Sequence, residues 1–311
     1  MITVVGSFNM DLVIEAPRFA KPGEAIHGKN FRRACGGKGA NQAYAVARMG
    51  QPAAIIGAVG QDAFGDEMLA NLQGVGVNTT SVVRRADVPS GTAMIVLDAS
   101  GQNQIVVANG ANDTLTAGDV QGCQDQIARS DALIVQLETS LESVRAALET
   151  AHSCGTMAVL NPAPFAPVDD GMLRLCAFII PNENEASQLS GTSVCDLHSA
   201  AAAAQAIRAR ARSANVVVTL GADGVWLDTR SFTGHVPGFP VTAVDTVGAG
   251  DTFIGAFVVR VVEGAEVREA ARFGCAAAAI AVTRRGAQTS IPTRREVEEW
   301  LRRFGGGSSR K

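Results

Sequence analysis

The sequence predicts an α/β fold: a mostly parallel sheet covered on both faces by helices, with a small second β-sheet beside it. Three observations predict it. Short apolar, strand-like runs alternate with Ala-rich helical stretches over most of the chain. Gly closes many of those runs, as tight strand-to-helix turns require. Two regions break the alternation and read as strand pairs with no helix between them.

In chain order, the strands of the large sheet are expected at Ile2–Val5, Ala53–Val59, Ala132–Gln136, Met157–Asn161, Ala177–Pro181 and Val216–Leu220. Helices between them are expected at Ala40–Met49, Asp62–Val75, Ser140–Ser153, Glu183–Ser190 and Ser199–Ala211. The small sheet is expected from Leu12–Ala16 with Ala25–Phe31, and from Thr92–Asp98 with Gln104–Ala108. A turn at Ala99-Ser100-Gly101-Gln102-Asn103 joins the second pair. Such a sheet can act as a lid that keeps water from a site. The expected organisation is one domain over residues 1–304, with lid strands about 9–32 and 91–109 inserted. Residues 305–311, Gly305-Gly306-Gly307-Ser308-Ser309-Arg310-Lys311, have the composition of a flexible tail.

Of the 311 residues, 47% are hydrophobic and 18% charged, and the net charge is −3. That balance gives no electrostatic support to a nucleic-acid or membrane-surface partner. The arginines near the C-terminus are interleaved with Glu296, Glu298 and Glu299 and read as a solvated helix face. No apolar run approaches the roughly 20 residues a membrane span needs. Met1–Gly6 reads as a first strand and not as a cleavable leader, so a cytoplasmic location is expected. The six cysteines are scattered without a C-x-x-C pair, and are expected to be reduced, buried small apolar residues.

The most informative segment is Asp245-Thr246-Val247-Gly248-Ala249-Gly250-Asp251-Thr252-Phe253, ahead of the apolar helical run Ile254–Val262. Small residues at a helix start leave backbone N–H groups unobstructed, and the dipole there favours negative charge. Asp251 is then either an N-cap or a base that deprotonates an attacking hydroxyl beside those groups. Gly36-Gly37-Lys38-Gly39-Ala40-Asn41-Gln42-Ala43 allows a polar ligand to approach the backbone and to meet Lys38 and Asn41; it can equally be a turn with an exposed Lys. Asn9 and Asp11 share one face of a strand. Asn182-Glu183-Asn184-Glu185 follows a strand, where ligands of α/β sheets bind; it suits Mg²⁺ or a capped helix start. Val216–Trp226 reads as strand, G-x-x-G turn and strand, either a plain hairpin or a wall for a nucleotide. No Walker A loop and no G-x-G-x-x-G fingerprint occurs, which disfavours P-loop enzymes and dinucleotide-binding dehydrogenases.

The order of these segments resembles the ribokinase (phosphofructokinase-B type) carbohydrate kinase family. The resemblance runs from Val4–Asp11 through Pro22-Gly23-Glu24, Gly36–Ala43, Leu137-Glu138-Thr139, Leu160–Pro164 and Pro181–Glu185. It continues with Thr219-Leu220-Gly221 and Asp245–Phe253 to Ala281–Gln288, covering essentially residues 1–295. It implies a three-layer α/β/α sandwich with a small β-sheet lid, and ATP-dependent phosphorylation of D-ribose at the 5-hydroxyl. By that resemblance Asn9, Asp11, Gly37, Lys38, Asn41 and Glu138 contact the sugar, and Asp251 is the base. Gly248, Ala249 and Gly250 form the anion hole. Asn182 and Glu185 organise Mg²⁺ and phosphates, and Thr219, Gly221, Gly224, Gly250 and Cys275 lie along ATP. A monovalent cation, K⁺, is held at Asp245, Val247, Ala281, Arg284, Gly286 and Ser290, mainly through carbonyl oxygens. A homodimer through the lid is also implied. The sequence departs from the family at Ile254, where many members carry Asn, and at Cys275, where His or Asn is common. The alternatives are a kinase of the same fold acting on deoxyribose, another sugar or a nucleoside, and a non-catalytic sugar-binding protein.

Overall fold

A computed structural model describes residues 1–212 and 214–305. Its elements run β1 (Ile2–Val5), β2 (Asn9–Glu15), β3 (Lys29–Gly36), α1 (Lys38–Arg48), β4 (Ala53–Gly60), α2 (Ala63–Gly74), β5 (Asn78–Arg85), β6 (Thr92–Leu97) and β7 (Asn103–Ala108). They continue with α3 (Ala117–Gln121), α4 (Gln124–Ala128), β8 (Ala132–Val135), α5 (Leu141–Cys154), β9 (Met157–Leu160), α6 (Asp170–Arg174), β10 (Phe178–Ile179), α7 (Glu183–Ser190) and α8 (Leu197–Ala211). The last are β11 (Asn215–Thr219), β12 (Val225–Asp228), β13 (Thr233–Val236), α9 (Ala249–Val262), α10 (Val267–Val282) and α11 (Arg294–Gly305).

The large sheet has nine strands in the order β13-β12-β11-β10-β9-β8-β1-β4-β5. Pairing is parallel from β5 to β11 and antiparallel for β12 and β13. Strands β1, β4 and β8 are buried along their whole length, as expected when helices cover both faces. One face packs on α1, α9 and α10 around Phe8, Phe253 and Phe257; the other packs on α5 and α8 around Leu133, Leu148 and Ile207. The second sheet has the order β3-β2-β6-β7. The predicted α/β class with a separate small sheet is therefore the observed one.

The chain crosses between the sheets at Gly6–Phe8, Gly37, Ser90-Gly91 and Asn109-Gly110. These passages pack backbone on backbone. A Cβ on Gly37 would lie 2.7 Å from Asn9 N, one on Gly39 2.5 Å from Gly6 C, and one on Gly91 2.4 Å from Phe8 O.

Some details differ from the sequence reading. The second lid strand is Lys29–Gly36, not Ala25–Phe31, because Asn9 pairs with Gly36 and draws β3 directly into α1. Strands β5 and β13 carry too few consecutive apolar residues to signal themselves. The hairpin read at Val216–Trp226 is present as β11 and β12. All six cysteines are free, but only Cys176 and Cys275 are buried, and Cys195 is exposed. Near the C-terminus Arg294 pairs with Glu298 and Arg284 with Glu296. Gly305 closes α11, and the rest of the tail, 306–311, lies outside the described residues.

Candidate active site

Helix α9 begins at a glycine that no other residue replaces without strain. Gly248 caps it with φ 75° and ψ 3°, left-handed values that side chains disfavour. A Cβ there would also press on Ala287 at 3.2 Å. Among the described residues the N–H groups of Gly248 and Gly250 meet no acceptor, whereas Ala249 N–H turns back to the Thr246 carbonyl at 3.3 Å. Two amides of the expected anion hole are thus open at the positive end of a helix.

Asp251 is not the cap. It lies inside the first turn, is 7% exposed, and its carboxylate accepts from two side chains of α1. Asn41 Nδ2 donates to Oδ2 at 2.9 Å and Gln42 Nε2 to Oδ1 at 2.9 Å. Burial raises its pKa, against the opposing pull of the Lys38 ammonium and of these two bonds. Helices α1 and α9 come this close because Gly255, one turn beyond Asp251, has no side chain. A Cβ there would lie 2.5 Å from that of Ala45 and 3.2 Å from the Gln42 carbonyl oxygen. Phe253 and Phe257 stack at 5.7 Å, and Phe178 meets Phe257 edge-on at 5.4 Å, fixing the far side of the helix.

The segments following β1, β3 and β8 converge on the same place, beside the carboxyl ends of the parallel strands β1 and β8. Asn112 Nδ2 donates to Asn9 Oδ1 at 3.0 Å, so Asn9 turns its own amide N–H groups elsewhere. Asp11 lies on the same face of β2, and its pKa rises to about 7 through burial and the nearby Glu138 charge. Glu138 accepts from the Ser7 hydroxyl and from Lys38 N–H at 3.0 Å. Lys38 is partly buried. Burial works against its charge, but the carboxylates of Asp251, Glu138 and Glu185 together hold its pKa above the ordinary value.

Across the cleft, Asn182 caps α7 in a reciprocal box: its Oδ1 accepts from Glu185 N–H at 2.9 Å, and Glu185 accepts from Asn182 N–H at 2.9 Å. The capped helix start is therefore real, and it leaves Glu185 buried, with burial raising its pKa. Thr219 pairs with Asn182 at the ends of β11 and β10. Gly221 is exposed, while Gly224 is buried with φ 92°, and a Cβ on it would meet Val236 O at 2.3 Å. Gly224 thus serves the closing of the hairpin. Cys275 is 6% exposed within the apolar core, and burial pushes its thiol up to about 12.

Asp245 ties two loops together: its carboxylate accepts from Val247 N–H at 3.1 Å and from Gly286 N–H at 2.9 Å. Val244 N–H donates to Val282 O at 2.7 Å. The Ala281 carbonyl accepts from Arg284 N–H at 3.0 Å, and the buried Ser290 hydroxyl donates to Ala287 O at 2.7 Å. Asp245, Val247, Ala281, Arg284, Gly286 and Ser290 are therefore gathered beside the start of α9. No cluster of three acidic, His or Cys side chains that could hold a metal occurs among the described residues. No helix is long and apolar enough to cross a membrane.

Sequence reasoning missed the amides behind this site: Gln42, Asn112, Gln136, Asn161 and Gln288. Each is 0–6% exposed, and the signal that marks them is polarity inside an apolar frame.

A buried carboxylate at a glycine-opened helix start, with Lys38, Glu138 and Glu185 around it, is an arrangement suited to transferring a group to a hydroxyl. The chain belongs to the pfkB family of carbohydrate kinases, whose pattern matches residues 1–294. Among curated proteins it is 45% identical over 300 residues to a ribokinase of Haemophilus influenzae, covering 96% of this chain and 98% of that one. It is 36% identical over 301 residues to a deoxyribokinase of Salmonella typhi, covering 96% and 98%. Among solved structures, Arabidopsis thaliana ribokinase complexed with ribose and ATP superposes with a TM-score of 0.88 at 31% identity, covering 96% of this chain and 98% of that one.

Proposed function

We propose that this protein transfers the terminal phosphoryl group of ATP to the 5-hydroxyl of D-ribose, with Asp251 as the base. One observation carries the reading: Asp251 sits beside the open N–H groups of Gly248 and Gly250, and both its oxygens are already held by α1. Phosphoryl transfer asks a protein mainly for positioning and charge stabilisation. In this reading Asp251 takes the hydroxyl proton as the oxygen attacks, and the two amides meet the charge that gathers on the phosphoryl oxygens. Asn9, Asp11, Gly37, Lys38, Asn41 and Glu138 hold the sugar hydroxyls. Asn41 keeps one amide N–H for the sugar after giving the other to Asp251.

Thr219, Gly221 and Gly224 border the nucleotide, with Cys275 supplying apolar bulk behind its base. Mg²⁺ takes few protein ligands and keeps several waters. A single buried carboxylate, Glu185, already bonded to Asn182, fits such an outer role. The carboxylate of Asp245, the carbonyls of Val247, Ala281, Arg284 and Gly286 and the Ser290 hydroxyl are hard oxygen donors, which fit K⁺. When bound, these ions supply positive charge near the phosphates and the helix start.

Two homologous lids are proposed to pair in a homodimer, as Phe31, Met94 and Val106 are exposed on the small sheet. Similarity to a deoxyribokinase supports deoxyribose as a second substrate. Initial rates with D-ribose, deoxyribose, fructose and adenosine, with and without Mg²⁺ and K⁺, decide among acceptors. Asp251→Asn is expected to lower turnover by roughly 10³-fold with sugar affinity little changed; near-normal turnover would remove Asp251 from its role.

A further inference from the structure

We infer that Gln42, which is expected to touch neither sugar nor nucleotide, is the positioning residue that aims the Asp251 carboxylate and keeps it ionised. The inference rests on Asp251 being the base. Gln42 is 0% exposed, and every polar atom of its side chain is engaged. Its Nε2 donates to Asp251 Oδ1 at 2.9 Å and to Asn161 Oδ1 at 3.1 Å. Its Oε1 accepts from Gln136 Nε2 at 2.6 Å.

The direction of this amide is dictated from outside. The Ile180 carbonyl can only accept, so Asn161 must turn Nδ2 toward it, at 3.0 Å. That leaves Asn161 Oδ1 facing Gln42, which must answer with Nε2. Gln42 Oε1 is then directed at Gln136. One backbone carbonyl, through two side chains, forces an N–H to face the catalytic carboxylate instead of a repelling oxygen. On the other side, Asn41 donates to Asp251 Oδ2 and is itself held by Gln288 Nε2 at 3.1 Å. The carboxylate plane is fixed by one donor on each oxygen, and its remaining lone pairs are left for an incoming hydroxyl.

A hydrogen bond donated to a carboxylate favours the ionised form. The charges facing Asp251 are Lys38 on α1, Glu138 after β8 and Glu185 on α7. Gln42→Met keeps the bulk and removes the donor while leaving those charges in place. Its base should then be harder to ionise, so the acid limb of the kcat–pH profile should move upward by about one pH unit, the worth of one bond to a charged group. The KM for sugar should change less than about twofold, since no atom of Gln42 reaches the cleft.

Gln136→Met, which removes the donor to Gln42 Oε1 and leaves the amide held by Asn161 alone, should give a smaller shift in the same direction, and it carries the test if the first variant does not fold. Circular dichroism and thermal melts establish folding. A uniform loss of kcat at every pH, or an unmoved acid limb, in a folded variant overturns the inference. Asp251→Asn separates the two levels: if that variant keeps its turnover, the base assignment fails whatever Gln42 does.

Discussion

In the proposed reading, Asp11 would tie solution conditions to substrate binding through a single side chain. Its pKa near 7 comes first from burial against Gly36, whose missing side chain leaves room for the carboxylate, and then from the Glu138 charge. Below pH 7 Asp11 is protonated and accepts fewer hydrogen bonds; above it the carboxylate would, as proposed, accept from sugar hydroxyls with full charge. KM for the sugar should therefore fall as pH rises from 6 to 8, and kcat should follow this trend much less. In Asp11→Asn the trend in KM should flatten, with KM raised at pH 8; equal slopes in the two proteins would rule out this role. At this scale the sequence announced residues whose neighbours in the chain are themselves unusual, such as Gly248–Asp251 and Gly36–Lys38. Gln42 and Asn161 lay inside segments the sequence had marked, and Gln136 in a plain strand end, but their roles were illegible because a role inside a buried network depends on distant partners. The bonds that join them to each other and to Asp251 span 94 to 209 residues, and only the folded chain makes them.

At the scale of elements, the contact that matters most is the crossing of α1 and α9 at Gly255. Adding a side chain there drives the helices apart, and with them Asn41 and Gln42 from Asp251. Gly255→Val should cost about 1–3 kcal/mol of stability, as overpacking usually does, and should lower kcat more than it raises KM for either substrate. Thermal unfolding and steady-state kinetics check both; a destabilised variant with unchanged kcat would show that the crossing does not set the site. Parallel strands and their helices were legible from apolar runs and glycine stops, since burial on both faces leaves no polar alternation to confuse them. The edge strands β5 and β13 were not, because most of their residues are only partly buried and no apolar run marks them. The boundary of β3 moved because pairing with β2 fixes its register, and pairing is not local to the sequence.

For the whole molecule, the lid is the part whose surface is least settled by the chain itself. Met94 and Val106 are paired across β6 and β7 and are 62% and 66% exposed. If two lids pair, Val106→Asp should leave the protein monomeric in analytical ultracentrifugation at micromolar concentration and raise KM for the sugar several-fold. A variant that stays dimeric would place the interface elsewhere.

The four chain passages between the sheets are bundled within one narrow waist. A sheet tethered in that way, and held also by the Arg33–Glu67 pair to α2, has its fulcrum at that waist. Were the sheet to tilt there, Asn9 would shift least, Asp11 more, and the outer apolar row of β6 and β7 most. In the proposed reading, small adjustments near the sugar would then be magnified at the rim, and anything gripping the rim would gain mechanical advantage over the grip on the sugar.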